Sequence, residues 1–227
     1  MSAVALCASF PAGRRGEALG PYHPNDIAQA AAAVAEGVLR SGADLLFGAH
    51  PTISPIVLQT AQLLSAGPQV HVFQSEYFAD RTTDAVNRLV SDAGSLLHRV
   101  PRKGSSEEAS LTALRRAMFN ANPRAAFFCG GMEGLTEEFA LAGVHGAIRF
   151  LITHPGGMAA RLAGGFDEAD EDPDPPWLRA AEPYALRGRA YASLVLDALE
   201  HAGLREPQPR GPFEREMEWT DGEGQLD

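Results

Sequence analysis

Cysteine is scarce in this chain: two of its 227 residues, Cys7 and Cys129, carry a thiol. Each lies inside a short apolar run that reads as a strand, where a free thiol behaves as a small hydrophobe, and a reduced compartment fits that usage. Long apolar runs are missing as well. No segment approaches the roughly 20 apolar residues of a membrane span, and no basic stretch leads into one at the N-terminus. No membrane partner is expected, and the protein is expected in the cytoplasm.

Basic side chains are outnumbered: 19 Lys and Arg against 29 Asp and Glu give a net charge of -10. Sequence-independent binding to nucleic acid draws its affinity from clustered cations, so long nucleic acid is excluded as a partner class. A small phosphate compound stays open, because backbone N–H groups at a helix start and one or two arginines can hold it whatever the overall charge. The seven histidines form no close set with Cys or carboxylates of the zinc type, and no Gly-x-Ser-x-Gly elbow is present. No metal, no cofactor and no serine-hydrolase chemistry are expected.

What is present is the composition of a folded globular protein, 45% hydrophobic and 21% charged. The length suits one large domain better than two, placed at residues 1–204, with a polar, Pro-rich tail at 205–227. Along the chain, short apolar runs alternate with helical patterns. Strands are read at Val4 to Ser9, Leu45 to Phe47, Val70 to Gln74, Leu96 to Val100, Ala125 to Cys129 and Ala147 to Ile152. Between them, helices run from an N-cap at Asn25 or Asp26 to Arg40, from Ser54 to Leu64, from Thr83 to Asp92, from a Ser106 cap to Asn120 and from Met132 to Ala142. A terminal amphipathic helix is read over Tyr184 to Ala202. Asp167 to Pro176, with six acids and three prolines in ten residues, reads as a solvated loop or flap. This alternation predicts a Rossmann-like three-layer α/β/α fold with a mostly parallel sheet, whose ligands lie beyond the carboxyl ends of the strands.

Three loops at those ends share one design. FFCGGMEGLTEEF (127–139) runs from a buried strand through Gly130, Gly131, Met132, Glu133 and Gly134 into a helix. Its glycines let the backbone approach a ligand, and the free N–H groups of a helix start favour an anion. FGAHPTISP (47–55) offers Gly48, the His50 ring and the Thr52 hydroxyl in the same setting. THPGGMAAR (153–161) repeats the scheme with Gly156, Gly157 and Arg161. Ser9, just past the first strand, is a fourth contributor.

Together, ALCASFP, FGAHPTISP, GGMEGLTEEF and HPGGMAARL resemble the SLOG superfamily over about residues 3–165, most of all its cluster 3 branch from bacterial conflict and defence neighbourhoods. The resemblance implies a nucleotide-type small-molecule ligand, with relatives recognising NAD-derived cyclic nucleotides made by TIR proteins. It implies a homodimer and, since no effector is attached here, a separate effector or TIR-type partner. In the related LOG phosphoribohydrolases the loop is Gly-Gly-x-Gly-Thr-x-x-Glu, and an arginine sits on the preceding helix. The matching positions here are Glu138 and Arg115, the catalytic pair if this chain cleaves an N-glycosidic bond. Here the loop is one residue longer, with Glu133 inserted and Leu135 in place of the threonine, and Ala49 stands where the defence branch carries a second glycine. The longer loop favours binding over cutting.

Overall fold

The computed structural model of the chain describes residues 2–81, 84–164, 176–178 and 181–206. The sheet has seven strands, all parallel, in the order β4-β3-β2-β1-β5-β6-β7. They are β1 (Ala3–Ser9), β2 (Asp44–Gly48), β3 (Val70–Ser75), β4 (Leu96–Val100), β5 (Ala125–Gly130), β6 (Ile148–Ile152) and β7 (Tyr184–Leu186). The helices are α1 (Gly13–Glu17), α2 (Pro24–Arg40), α3 (Ser54–Leu63), α4 (Asp84–Ala93), α5 (Glu107–Phe119), α6 (Gly134–Val144), α7 (Gly157–Leu162) and α8 (Tyr191–His201).

Because side chains alternate along a strand, each central strand feeds two cores. On β1, Val4 and Leu6 pack with α2, α3, α4 and α8, while Ala5 and Cys7 pack with α5, α6 and α7. Phe127 and Cys129 of β5 face the first layer and Ala126 and Phe128 the second. Burial on both faces explains why these strands read as unbroken apolar runs rather than alternating ones.

Three departures from the sequence reading matter most. The N-cap of α2 is His23, not Asn25 or Asp26. Pro24 takes the first helical position, where its missing N–H costs nothing and its fixed φ suits the turn, and Asn25 and Asp26 fall inside the first turn. Helix α6 begins at Gly134 rather than Met132, because Gly130 and Gly131 both have φ near the left-handed region, +60° and +81°, and the chain needs two more residues to enter the helical region. The expected helix over Tyr184 to Ala202 is a strand and a shorter helix. Tyr184, Ala185 and Leu186 pair with Phe150, Leu151 and Ile152 of β6, and α8 starts only at Tyr191. Leu186 satisfies the helical spacing and the strand equally, and Gly188 at φ +94° breaks the helix that the spacing suggested.

Ser106 caps α5 as expected, its Oγ accepting from the Ala109 N–H at 3.1 Å. Apart from Pro176, the acidic segment Asp167 to Pro176 lies outside the described residues, as does the tail beyond Glu206. Among the described residues no helix is long and apolar enough to cross a membrane.

Candidate functional site

The chain runs outward from β1 through β2, β3 and β4, then returns to place β5 against β1 before running outward again through β6 and β7. In doubly wound sheets ligands lie at such a reversal, beyond the carboxyl ends of the two strands it separates, here β1 and β5. Ser9 stands opposite Gly130 in the register, and the Ser9 carbonyl accepts from the Gly131 N–H at 2.8 Å. At Gly130 the positive φ is accompanied by close packing: a Cβ would lie 2.7 Å from Ile27 Cδ1 and 2.8 Å from the Ser9 carbonyl oxygen. Gly157, at φ +72°, is pressed on Gly130 itself, where a Cβ would meet the Gly130 carbonyl carbon at 2.8 Å. The Met158 N–H donates to the Gly131 carbonyl at 3.1 Å, and Gly156 lies against the backbone of Pro21 and Tyr22. These glycines therefore bind three loops to one another as well as shaping a surface.

The turn leaves donors free. Glu133 precedes α6 as its N-cap without a side-chain cap bond. Among the described residues the N–H groups of Met132, Glu133 and Gly134 find no acceptor, whereas those of Leu135 and Thr136 close back on Met132 and Glu133. Three amides without acceptors stand at the positive end of an 11-residue helix, an arrangement that favours an anion. Met132 is half-buried there and Glu133 is exposed.

Arg115 flanks those amides. It projects from α5 so that its guanidinium covers Gly134, occupying the space a Cβ would take there. Its Nη1 donates to Glu137 Oε2 at 2.6 Å, and its Nε lies 3.7 Å from Glu138 Oε1. Arg116, its neighbour on α5, is exposed. The Glu138 side chain is only 18% exposed, and loss of water pushes its carboxyl up to about 7 even though Arg115 pulls the other way. The buried Cys7 thiol beneath it is pushed up by burial and then by Glu138.

Since the native pKa of Glu138 exceeds its ordinary value of 4.5, the folded chain holds a proton that the unfolded chain has lost in that interval. The associated stability is complete below about pH 4.5 and is lost as pH rises through about 7. Glu138→Gln mimics the neutral acid. The melting temperature of this variant, relative to that of the unaltered protein, is expected to rise by a few degrees between pH 5 and pH 8; a difference independent of pH in paired melts would contradict the assignment.

The third part of the site lies over β2 and β3. The Ala49 N–H donates to the Phe73 carbonyl at 2.7 Å, carrying the loop away from β2. Ala49 is absent from the left-handed region, so its side chain costs nothing where the resemblance called for glycine. The His50 N–H donates to Ser54 Oγ at 2.9 Å, and His50 Nδ1 sits 2.8 Å from the Thr52 hydroxyl and accepts weakly from the Thr52 N–H at 3.4 Å. That leaves the ring proton on Nε2, and burial lowers the pKa, so the imidazole is a neutral donor. A cavity of about 310 Å³ opens here, lined by Ala49, His50, Ser54, Gln74, Phe78 and Leu114, among others. Gly48 packs on Leu114, whose Cδ2 lies 3.3 Å from where a Cβ would sit, while Thr52 is exposed with its hydroxyl turned to His50.

Thus Ser9, Gly130, Gly131, Met132, Gly134 and Arg115 meet at the β1 and β5 ends, and Gly48 and His50 at the neighbouring strand tips. Arg161 is exposed in the last turn of α7, its Nη1 3.5 Å from the Ala18 carbonyl. The sequence reading missed Gln74 and Ser75, both buried at the end of β3; a polar pair closing the apolar run VHVF was the available signal. It also missed Asp26, Arg189 and Tyr191, which no local motif connects. A larger open groove of about 660 Å³ follows the outer side of α5 from Val100 and Lys103 to Arg116. Among the described residues no group of three His, Cys, Asp or Glu side chains is placed to hold a metal ion.

Comparison with known proteins agrees with this geometry at the level of the fold. The sequence model of the SLOG cluster3 family matches residues 23–174. The X-ray structure of TM1055, a Northeast Structural Genomics Consortium target, superimposes with a TM-score of 0.54 at 13% identity, covering 87% of this chain and 99% of that one. At that identity the likeness concerns the fold alone. None of the curated proteins matches the chain.

Proposed function

The chain belongs to the SLOG cluster3 family, and from that footing we propose that it binds a nucleotide or NAD-derived small molecule as a signal, with the phosphate on the first turn of α6. The observation that carries this reading is the placement of α5. Leu114 lines the 310 Å³ cavity, and the next residue, Arg115, covers Gly134 beside the free amides. One helix therefore joins a mostly apolar pocket, at the small end of the range for ligand sites, to an anion site. A flat base fits the pocket, with the His50 Nε2–H and the Gln74 amide to meet its polar edge, and the phosphate fits the turn.

The rival reading is N-glycosidic hydrolysis of the LOG type, favoured by the Glu138 carboxyl with a pKa of about 7, which suits proton transfer near neutral pH. Against it, Arg115 is engaged by Glu137 and lies close to Glu138, which makes the group a tie between α5 and α6. As a sensor the protein would pass occupancy to a second copy of itself or to a separate effector of TIR type, in a bacterial defence setting within the cytoplasm.

The test combines two readouts on the same samples. The pure protein is incubated with AMP, NAD, ADP-ribose and cyclic ADP-ribose isomers while thermal shift and free base are followed. A dose-dependent shift with no base released is expected. Base released at catalytic rates, and abolished in Glu138→Gln, would establish the hydrolase instead.

A further inference from the structure

On the α2 side of Gly130 lies a second polar cluster, which the pocket and the phosphate turn leave unused. Asp26 comes from the first turn of α2, His154 from just past β6, Arg189 from the connection between β7 and α8, and Tyr191 from the start of α8. Two backbone links hold its floor: the His23 N–H donates to the Pro155 carbonyl at 2.9 Å, and Tyr22 bridges Gly156. The cluster adjoins the β5 tip directly. Ile27, the residue after Asp26, packs on Gly130, and the Cys129 thiol lies 4.0 Å from the Ile27 carbonyl. Arg115 and Glu138 stand on the α5 and α6 face of the sheet and Asp26 on the α2 face, so the two clusters flank one strand end.

Arg189 Nε donates to His154 Nε2 at 2.5 Å, which keeps that nitrogen unprotonated and places the ring proton on Nδ1. The Asp26 carboxylate lies 3.7 Å from the same Nε2, beyond hydrogen-bond reach, and among the described residues Arg189 forms no ion pair with it. A simple fastening of the β7–α8 connection to α2 would bring arginine and aspartate together directly. Beside Asp26 stands the hydroxyl of Tyr191, a residue 4% exposed, whose ionisation is opposed by burial and then by the Asp26 carboxylate. Asp26 and His154 remain 17% and 19% exposed and Arg189 is exposed, so all three reach solvent.

Resting on the nucleotide reading above, we propose that Asp26, His154 and Arg189 form a second subsite, for a ribosyl phosphate. The carboxylate accepts from ribose hydroxyls, as an acidic residue does in dinucleotide folds, and Arg189 with the imidazole meets the second phosphate. Neighbouring strands lie about 4.8 Å apart, so a pyrophosphate spans the step from the β5 tip to the β6 tip. The occupant of the whole site is then a molecule with a pyrophosphate and two sugars, rather than a mononucleotide.

The experiment compares AMP with ADP-ribose by calorimetric titration of the full chain, its Asp26→Asn variant and its Arg189→Gln variant. The unaltered protein should bind ADP-ribose at least about tenfold more tightly than AMP. Each variant should lose that advantage while its AMP affinity stays within about twofold. Should Asp26→Asn fail to fold, the exposed Arg189→Gln decides alone. Equal affinities in the unaltered protein, or an advantage that survives in the variants, would overturn the subsite and leave the nucleotide reading intact. Absence of binding by either compound would overturn both.

Discussion

Gly157→Ala is expected to lower the melting temperature by about 10 °C. Two costs add. At φ +72° an L side chain is strained, and the new Cβ would sit 2.8 Å from the carbonyl carbon, 2.9 Å from the oxygen and 3.0 Å from the Cα of Gly130. None of these backbone atoms can swing aside, because Gly130 is fixed by its pairing with Ser9. Left-handed strain costs about 1–2 kcal/mol and overpacking about 1–3 kcal/mol; at roughly 2–4 °C per kcal/mol for a chain of this size, the sum gives the stated drop. Gly42→Ala is the control, since φ is also positive there, +79°, but nothing lies within 4 Å of the added carbon. It should lose only a few degrees. Equal losses in paired thermal melts would show that strain alone matters and that the contact of loop against loop does not.

Arg115→Ala should weaken nucleotide binding by roughly 10- to 100-fold, the equivalent of a charge-assisted hydrogen bond worth about 1.5–3 kcal/mol. The loss has two parts. The guanidinium over Gly134 disappears, and Glu137, which it pairs with at 2.6 Å, is left uncompensated beside the amides. Arg115→Lys retains the charge without the planar fork and should fall between. The same change lowers stability, more at pH 8 than at pH 6, because Glu138 relieves its lost partner by taking up a proton near pH 7. Adding Glu138→Gln to Arg115→Ala should therefore restore much of the stability and little of the binding. Titration calorimetry and melts on the four proteins separate the effects; recovery of binding in the double variant would mean that Arg115 acts only by holding α5 to α6.

Much of this was legible in the residues. The central strands were readable because burial on both faces concentrates apolar side chains, as in AAFFC of β5, and the crossover helices because alanine-rich runs such as that of α2 keep one stripe buried. That the sheet is parallel followed from strands alternating with helices, whereas the order of its strands, with β5 returning beside β1, is seen only in the structure. Strand β7 was not legible: three residues of a strand cannot outvote a spacing that also suits a helix. In the site, Gly130, Gly131 and Gly134 announced their turn, yet the sequence could not tell that Gly156 and Gly157 spend their freedom on Pro21 and Gly130. Arg115 was named only through the family resemblance, and the structure sets its guanidinium over Gly134. Asp26, His154 and Arg189 stand far apart along the chain, so their meeting is a tertiary fact with no local signature.

The central claim is that an anionic group rests on the free amides at the start of α6, and backbone amide chemical shifts observe those groups individually. On titration with ADP-ribose, the ¹⁵N–¹H resonances of Met132, Glu133 and Gly134 should move the most, downfield as each gains an acceptor, with the Arg115 side chain following. Shifts that leave these three in place and gather instead around Lys103 and Arg116, in the groove outside α5, would contradict the account.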